Sequence, residues 1–230
     1  MPEKIIGILG GMGPEATIDL FYKIIKLTPV EKDQDHLRII IDNNPKIPDR
    51  TAAILGKGED PLPALQKTAK NLEKAGADFI IIPCNTAHYF LSSIQESVKI
   101  PILDMIKETA QETQKKVPHI KKVGLLATTA IYQSKLYHQA FKDFQIEVII
   151  PNAQEQQEVM KVIRNIKAGN LSEEVKKSIL KIAQKLIKKG VKAVITGCTE
   201  IPLILKEGDV SVPIIEPTQI VARIAVKKAR

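Results

Sequence analysis

The sequence predicts an α/β protein of two similar parallel-sheet domains related by a pseudo-two-fold, with the active site in the cleft between them. Three observations predict this fold. Short apolar runs alternate along the chain with longer segments of helical period. The apolar runs are continuous, which is typical of parallel strands that are covered on both faces. The second half of the chain also repeats features of the first half in the same order.

The predicted strands are short runs rich in Ile, Val and Leu that end at turn residues. They span 4–9, 37–41, 78–82, 100–103, 122–126, 147–150, 193–196 and 212–215. The predicted helices carry apolar residues three and four positions apart, and they span 14–27, 61–75, 85–96, 105–116, 133–143, 153–168, 173–189 and 217–228. Asp60 before Pro61 is typical of a helix start. Gly76 and Gly190 are typical of helix ends.

A weak internal repeat relates the two halves at a spacing of about 115 residues, which is the size of a domain rather than of a solenoid repeat. Its members are a glycine inside an apolar strand, a glycine eight positions before a cysteine, that cysteine, and a proline inside a later strand. In order, they pair Gly7 with Gly124, Gly76 with Gly190, Cys84 with Cys198 and Pro101 with Pro213. We therefore predict domains at 1–104 and 105–213, with the C-terminal helix, 214–230, packing on the first domain.

Composition narrows the class of protein. The chain has 230 residues, 44% hydrophobic and 26% charged, which is ordinary for a globular protein. The net charge of +8 suggests a nucleic-acid partner. However, many lysines flank an apolar stripe in the predicted helix 173–189, which is typical of a solvated helix face. With no Trp and 4% aromatic residues, little material remains for base stacking, so we predict no nucleic-acid partner.

The sequence also bears on location. No apolar run is long enough to cross a membrane, and no signal peptide is apparent, so we predict no membrane partner. Two cysteines exclude a disulfide framework and a multi-cysteine zinc module. A reducing cytoplasmic compartment is the expected location.

The two cysteines are the strongest chemical signal. Each follows a predicted strand and precedes a predicted helix, where open parallel sheets bind ligands. We expect the helix N-terminus to lower the pKa of each thiol. If the two halves face each other, a small molecule between them meets one sulfur on each side. That arrangement suits inversion at a carbon, because one thiolate removes a proton while the opposite thiol delivers one. The competing interpretation is that each cysteine is a small buried hydrophobic residue.

Neighbouring polar residues suit an anionic substrate. Arg50 ends a turn-rich loop and can pair with a carboxylate through two hydrogen bonds, although a surface ion pair is the alternative. Asn85, Thr86 and Thr199 can cap helices or bind a carboxylate. Glu200 can bind a substrate ammonium or occupy the first turn of a helix.

Two further signals are weaker. His88 follows Cys84 by one helical turn and can tune the thiol, but a role on the helix face is favoured. Residues 11–16 match the G-x-G-x-x-A dinucleotide pattern, which alone is not specific, since it fits any tight strand-to-helix turn. The histidines show no metal-ligand spacing.

Three motifs together carry a family resemblance over essentially the whole chain: GGMGPEAT at 10–17, PCNTAH at 83–88 and GCTEIP at 197–202. They resemble the aspartate racemase branch of the aspartate/glutamate racemase family. The resemblance implies a racemase of acidic amino acids that uses no cofactor and is commonly a homodimer, and the spacing of the histidines predicts no metal site. It implies that Cys84 and Cys198 are the acid/base pair, and that Met12, Arg50, Thr51, Asn85, Thr86, Lys167, Thr199 and Glu200 line the substrate site.

The predicted function is racemisation of aspartate or glutamate, or both, by two cysteines on opposite faces of Cα. Residues 215–221 depart from relatives that carry Asp and His there, so a broad-specificity amino-acid racemase is an alternative. A decarboxylase or cis–trans isomerase of dicarboxylic acids is another. A non-catalytic module that binds an acidic metabolite is the alternative from a different class.

Overall fold

The computed structural model describes residues 3–230. The chain forms two compact units. Unit 1 comprises the chain up to Met105 together with Thr218–Arg230, and unit 2 comprises Ile106–Pro217. No helix within residues 3–230 is both long and apolar enough to cross a membrane.

The elements of the first half are β1 (Ile6–Gly10), α1 (Pro14–Leu27), β2 (Ile39–Asn43), α2 (Arg50–Ile54), α3 (Leu62–Lys74), β3 (Phe79–Ile81) and α4 (Leu91–Gln95). Short 3-10 helices lie at Asp33–Asp35 and Thr86–Phe90. The second half continues with α5 (Met105–Lys116), β4 (Lys122–Ala127), α6 (Thr129–Ser134), α7 (Leu136–Lys142), β5 (Glu147–Ile149), α8 (Ala153–Lys167), α9 (Glu173–Lys188), β6 (Val194–Gly197), β7 (Ile214–Ile215) and α10 (Pro217–Ala229), with a 3-10 helix at Ile201–Leu203.

Both sheets are parallel and have equivalent strand orders. In unit 1 the order is β2-β1-β3, and a single parallel bridge joins Ile80 of β3 to Ile102 beyond it. In unit 2 the order is β5-β4-β6-β7. The predicted α/β fold with two parallel sheets is therefore confirmed.

The sheet of unit 1 is covered on both faces because its strand residues alternate between two apolar clusters. Ile6 and Ile8 of β1 pack with side chains of α1 and α10. Leu9 and Ile80 pack in the other cluster, with side chains of α3 and with Cys84. Burial of each such side chain stabilises the fold by about 1.5–3 kcal/mol. The C-terminal helix α10 thus packs in the core of unit 1.

Unit 2 is held together by helices α8 and α9 against its central strands. Val159 and Ile163 of α8 and Ile179 and Leu186 of α9 are buried with Leu126 of β4. Most lysines of α9 lie on the opposite, exposed side of the helix. This is the solvated helix face that the sequence predicted.

Two predicted strands are much shorter than expected, and proline is the reason. The predicted strand 100–103 makes only the Ile80–Ile102 bridge, while the predicted strand 212–215 is reduced to β7. Pro101 and Pro213 accept hydrogen bonds from Ile80 N (2.9 Å) and Val194 N (3.0 Å), respectively. Neither proline has an N–H to donate, so the ladder cannot extend through it.

Two predicted helices are broken. The predicted helix 133–143 is two helices, α6 and α7, that are separated by Lys135 in the left-handed conformation (φ 56°). The predicted helix 85–96 is the 3-10 helix Thr86–Phe90 followed by α4. In this second case the His88 N–H donates to Asn85 O (3.1 Å), and the Cys84 carbonyl is bonded to the His88 ring instead (2.9 Å). An α-helix needs that carbonyl for the backbone N–H four residues later.

Candidate active site

The glycine-rich turn after β1 is shaped by close packing of the chain on itself. Gly11 has a φ of 92°, and a Cβ on it would lie 2.3 Å from the backbone carbon of Asn44. Its N–H donates to the Thr17 hydroxyl (2.9 Å), which donates in turn to Gly13 O (3.1 Å). Met12, inside this turn, is buried in the same apolar cluster as Cys84. These contacts account for the glycine pattern that also matched a dinucleotide motif.

Cys84 lies just beyond the carboxyl end of β3 and is 6% exposed. Its backbone N–H donates to Ile82 O (2.8 Å), which folds the chain sharply at Pro83. Asn85 and Thr86 follow it and are both buried. The sulfur therefore lies at the end of the sheet where parallel α/β folds bind ligands.

His88 ties the Cys84 turn to the end of unit 1. Its Nδ1 lies 2.9 Å from Cys84 O, and its Nε2 accepts the Met105 N–H (3.1 Å). Burial lowers the pKa of His88, which Asp104 and the backbone partners only partly oppose. The ring is therefore neutral, with its proton on Nδ1, because Nε2 must be an acceptor. It holds the backbone of Cys84, and this geometry favours a structural role over tuning of the sulfur.

Arg50 is placed by helix α2 and not, as predicted, by the end of a loop. Asp49 caps this helix by accepting the Ala52 N–H (2.6 Å), so Arg50 and Thr51 form its first turn. Arg50 is 8% exposed, and its Nη1 donates to Ile47 O (3.1 Å) and Pro48 O (2.9 Å). Its Nε has no hydrogen-bond partner within residues 3–230. This buried, incompletely bonded cation is not the surface ion pair that was the alternative.

Helix α2 brings Arg50 toward the first cysteine. It contacts the 3-10 helix that follows Cys84. Ile47, immediately before α2, is buried in the same apolar cluster as Cys84. Within unit 1, Met12, Arg50, Thr51, Asn85 and Thr86 are therefore all carried by segments that converge on the carboxyl end of the sheet.

Cys198 occupies the equivalent position in unit 2, directly after β6, and is 4% exposed. Its thiol donates to Glu200 Oε2 (2.9 Å), and the Thr199 hydroxyl donates to the same oxygen (3.3 Å). Lys167 Nζ, at the end of α8, lies 3.6 Å from the other oxygen, Oε1. Four of the predicted site residues are therefore in one cluster in unit 2.

The prediction of a lowered thiol pKa is wrong for Cys198. Burial raises the pKa of this thiol well above its usual value, and the Glu200 carboxylate raises it further, while Lys167 opposes them. The segment after Cys198 leads into a three-residue 3-10 helix, which has no α-helical macrodipole to stabilise a thiolate. The sequence motif did not show that the sulfur and the carboxylate are in contact.

Tyr132 is a neighbour of Cys198 that no motif indicated. Its hydroxyl accepts the Ala127 N–H (2.8 Å) and donates to Leu125 O (3.4 Å). Burial raises the pKa of Tyr132, and the hydrogen bond from the Ala127 N–H only partly opposes this shift. The only sequence signal is its place in the first helix after β4, and helices that follow parallel strands begin at the ligand-binding end.

Comparison with known proteins agrees with this architecture. Residues 9–225 match the family model described as Asp/Glu/Hydantoin racemase. The chain is 31% identical over 226 residues to the broad specificity amino-acid racemase RacX of Bacillus subtilis (strain 168), covering 95% of each chain.

Solved structures are similar over nearly the whole chain. Aspartate racemase of Picrophilus torridus superposes with a TM-score of 0.88 at 36% identity, covering 98% of this chain and 94% of that one. An aspartate racemase homologue from Pyrococcus horikoshii OT3 gives a TM-score of 0.77 at 31% identity, covering 98% and 99%. The resemblance predicted from the three motifs is thereby confirmed. The chain belongs to the Asp/Glu/Hydantoin racemase family and is an amino-acid racemase, of a family that works without pyridoxal phosphate.

Proposed function

We propose that the protein racemises an acidic amino acid, aspartate or glutamate or both, with Cys84 and Cys198 as the two acid/base groups and without a cofactor. One observation supports this above the others. Each unit has one buried cysteine just beyond the carboxyl end of the equivalent strand, β3 in unit 1 and β6 in unit 2. Such a duplicated placement is what a reaction that needs one proton carrier on each side of a carbon requires.

The proposed reaction moves two protons and leaves no other bond changed. A thiolate on one face removes the proton from Cα, and the electron pair of the broken C–H bond is delocalised into the carboxylate. A thiol on the opposite face then gives its proton to Cα, which inverts the centre. The mechanism requires each of the two sulfurs to reach the Cα of the substrate.

The negative charge that develops on the substrate needs stabilisation, because a carbon beside a carboxylate is a very weak acid. Arg50 suits this role, since it is buried, positively charged and anchored through only one end of its guanidinium. A guanidinium can pair with a carboxylate through two parallel hydrogen bonds. We assign Arg50 to the α-carboxylate, with Thr51, Asn85 and Thr86 beside it.

The test uses single substitutions of the two thiols. Cys84→Ser and Cys198→Ser should each abolish racemisation of aspartate and glutamate, assayed by chiral chromatography, while the matched exchange Ser178→Ala on the exposed face of α9 leaves it unchanged. In D₂O, each cysteine variant should retain exchange of the Cα proton for one enantiomer only. If either variant racemises at the parent rate, the two-thiol proposal fails.

Broad specificity is the second candidate, and it is supported by the similarity to RacX over 95% of the chain. The two candidates differ at Lys167, which we assign to the side-chain carboxylate of an acidic substrate. Lys167→Met should raise KM for aspartate and glutamate and leave KM for uncharged amino acids unchanged. A panel of L-amino acids incubated with the parent protein then separates the candidates directly.

We also propose a cytoplasmic homodimer, on the strength of the family resemblance. Light scattering of the purified protein after gel filtration tests the assembly. A mass of one chain at working concentration contradicts it.

A further inference from the structure

The two cysteines have chemically unequal surroundings. Glu200 follows Cys198 by two positions. In the repeated segment of the first half, the uncharged Thr86 follows Cys84 by two positions. The Glu200 side chain is almost fully buried, and its Oε2 accepts the hydrogen of the Cys198 thiol (2.9 Å). The Cys198 thiol therefore has a carboxylate partner, while the corresponding position after Cys84 carries no charge.

A second contact extends this pair toward solvent. The other carboxylate oxygen, Oε1, is buried and accepts no hydrogen bond from the described residues, yet Lys167 Nζ lies 3.6 Å from it. The Lys167 side chain is 38% exposed, against 4% for Glu200. Cys198, Glu200 and Lys167 thus form a row of contacts from the buried sulfur, through the carboxylate, to a partly exposed cation.

The charges of Glu200 and Lys167 act in opposite directions on the protonation of the Cys198 sulfur. A carboxylate that accepts a hydrogen bond from a thiol favours the protonated sulfur, since a thiolate there would face a like charge. A cation beside the carboxylate offsets part of its charge and so weakens that preference. Tyr132, the other titratable neighbour of Cys198 in unit 2, is bonded to Ala127 N and Leu125 O, and its pKa is raised. It is therefore neutral near neutral pH and leaves Glu200 and Lys167 as the charges that act.

We propose that Glu200 is a positioning residue that keeps Cys198 in its thiol form, so that Cys198 is the proton donor of the resting enzyme, and that Lys167 limits this effect through its ion pair with Glu200. The proposal rests on the two-thiol function above and adds an order to it. The enzyme would meet its first substrate with a proton on Cys198, and Cys84 would have to act first as the base. After one turnover the two roles are exchanged, and Glu200 favours return to the starting form.

The test measures the protonation of one sulfur without relying on turnover. Because the chain has two cysteines, Cys84→Ser leaves Cys198 as the only thiol, and the ultraviolet absorbance of its thiolate can be followed against pH. In this background, Glu200→Gln should lower the midpoint by about one pH unit or more, since it removes the like charge while keeping the shape. Lys167→Met should move the midpoint upward, and the matched exchange Lys161→Met on the exposed side of α8 should not move it.

A purely structural role for Glu200 predicts no such pair of opposite shifts. An unchanged midpoint in Glu200→Gln overturns the inference and leaves the two-thiol proposal standing. If the parent protein racemises none of the tested amino acids, the proposed function is contradicted, but the titration still tests the effect of Glu200 on Cys198. If the serine variant does not fold, alkylation of the Cys198 peptide in the parent and in Glu200→Gln, followed against pH by mass spectrometry, gives the same comparison.

Activity supplies a second readout. With Cys84 restored, Glu200→Gln should shift the alkaline limb of the kcat–pH profile to lower pH by the same amount as the titration. KM should change little, because the proposed contact is with the sulfur and not with the substrate. A large increase in KM with an unmoved profile would instead make Glu200 a ligand of the substrate ammonium, and it would overturn the inference.

Discussion

Replacing His88 by Phe should destabilise unit 1 and show how much the Cys84 turn depends on one buried ring. The exchange keeps the volume of the ring and removes both nitrogens. It leaves the Met105 N–H and the Cys84 carbonyl without the partners that lie at 3.1 Å and 2.9 Å in the parent. A buried polar group that loses its partner costs about 1–3 kcal/mol, so the two together should cost about 2–6 kcal/mol.

The measurement is thermal or urea unfolding, and the matched control is His119→Asn. His119 is exposed and has a φ of 62°, which Asn tolerates, so the control should stay within about 0.5 kcal/mol of the parent. A loss of about 2–6 kcal/mol corresponds to a fall of about 4–24 °C in Tm for a protein of this size. Loss of less than about 0.5 kcal/mol would refute the reasoning.

The same variant carries a pH signature. Because the pKa of His88 is lowered in the folded state, the unfolded chain binds a proton more readily. The stability that this residue contributes is present above its ordinary value of 6.5 and is lost as the pH falls toward the lower folded value. The parent should therefore lose stability below about pH 6.5 more steeply than the Phe variant, which has no such group to protonate.

Two further predictions concern stability. Gly11→Ala should destabilise unit 1 by more than about 3 kcal/mol, because a Cβ there would lie 2.3 Å from the Asn44 backbone, whereas Gly56→Ala, with a φ of 69° but nothing within 4 Å, should cost only about 1 kcal/mol in urea unfolding. Glu155→Gln should flatten the acid limb of the stability–pH curve. Lys185 and the Asn152 backbone lower the pKa of Glu155, so its contribution is present above 4.5 and is lost as the pH falls below that value; an unchanged acid limb contradicts this assignment.

Much of the architecture followed from local sequence. Continuous apolar runs alternating with helical periods predict parallel sheets, since strands that are covered on both faces have no polar side. Gly76 and Gly190 follow the ends of their helices with φ values of 94° and 88°, as predicted for glycines at helix ends. These features depend on backbone conformation and on burial, which neighbouring residues largely determine.

Other features could not be predicted from sequence patterns because they depend on which hydrogen-bond partner a particular backbone group finds. The prediction of a single helix at 85–96 was wrong because the His88 ring is bonded to the Cys84 carbonyl, which an α-helix would use for a backbone N–H. The strands at Pro101 and Pro213 are shorter than predicted because proline has no N–H to donate to the neighbouring strands β3 and β6. In each case the helix or strand pattern is present, but a hydrogen-bond partner decides the outcome.

The sequence by itself determined which residues are chemically able to act: two cysteines in repeated positions, an arginine in a turn-rich segment of the first half, and a glutamate two positions after the second cysteine. Only the tertiary structure decided their surroundings and therefore their proton affinity. It buries Cys198 against Glu200 and brings Lys167, which precedes Glu200 by 33 residues, within 3.6 Å of that carboxylate. The physical reason is that proton affinity depends on burial and on nearby charge, and both are fixed by how the chain folds back on itself.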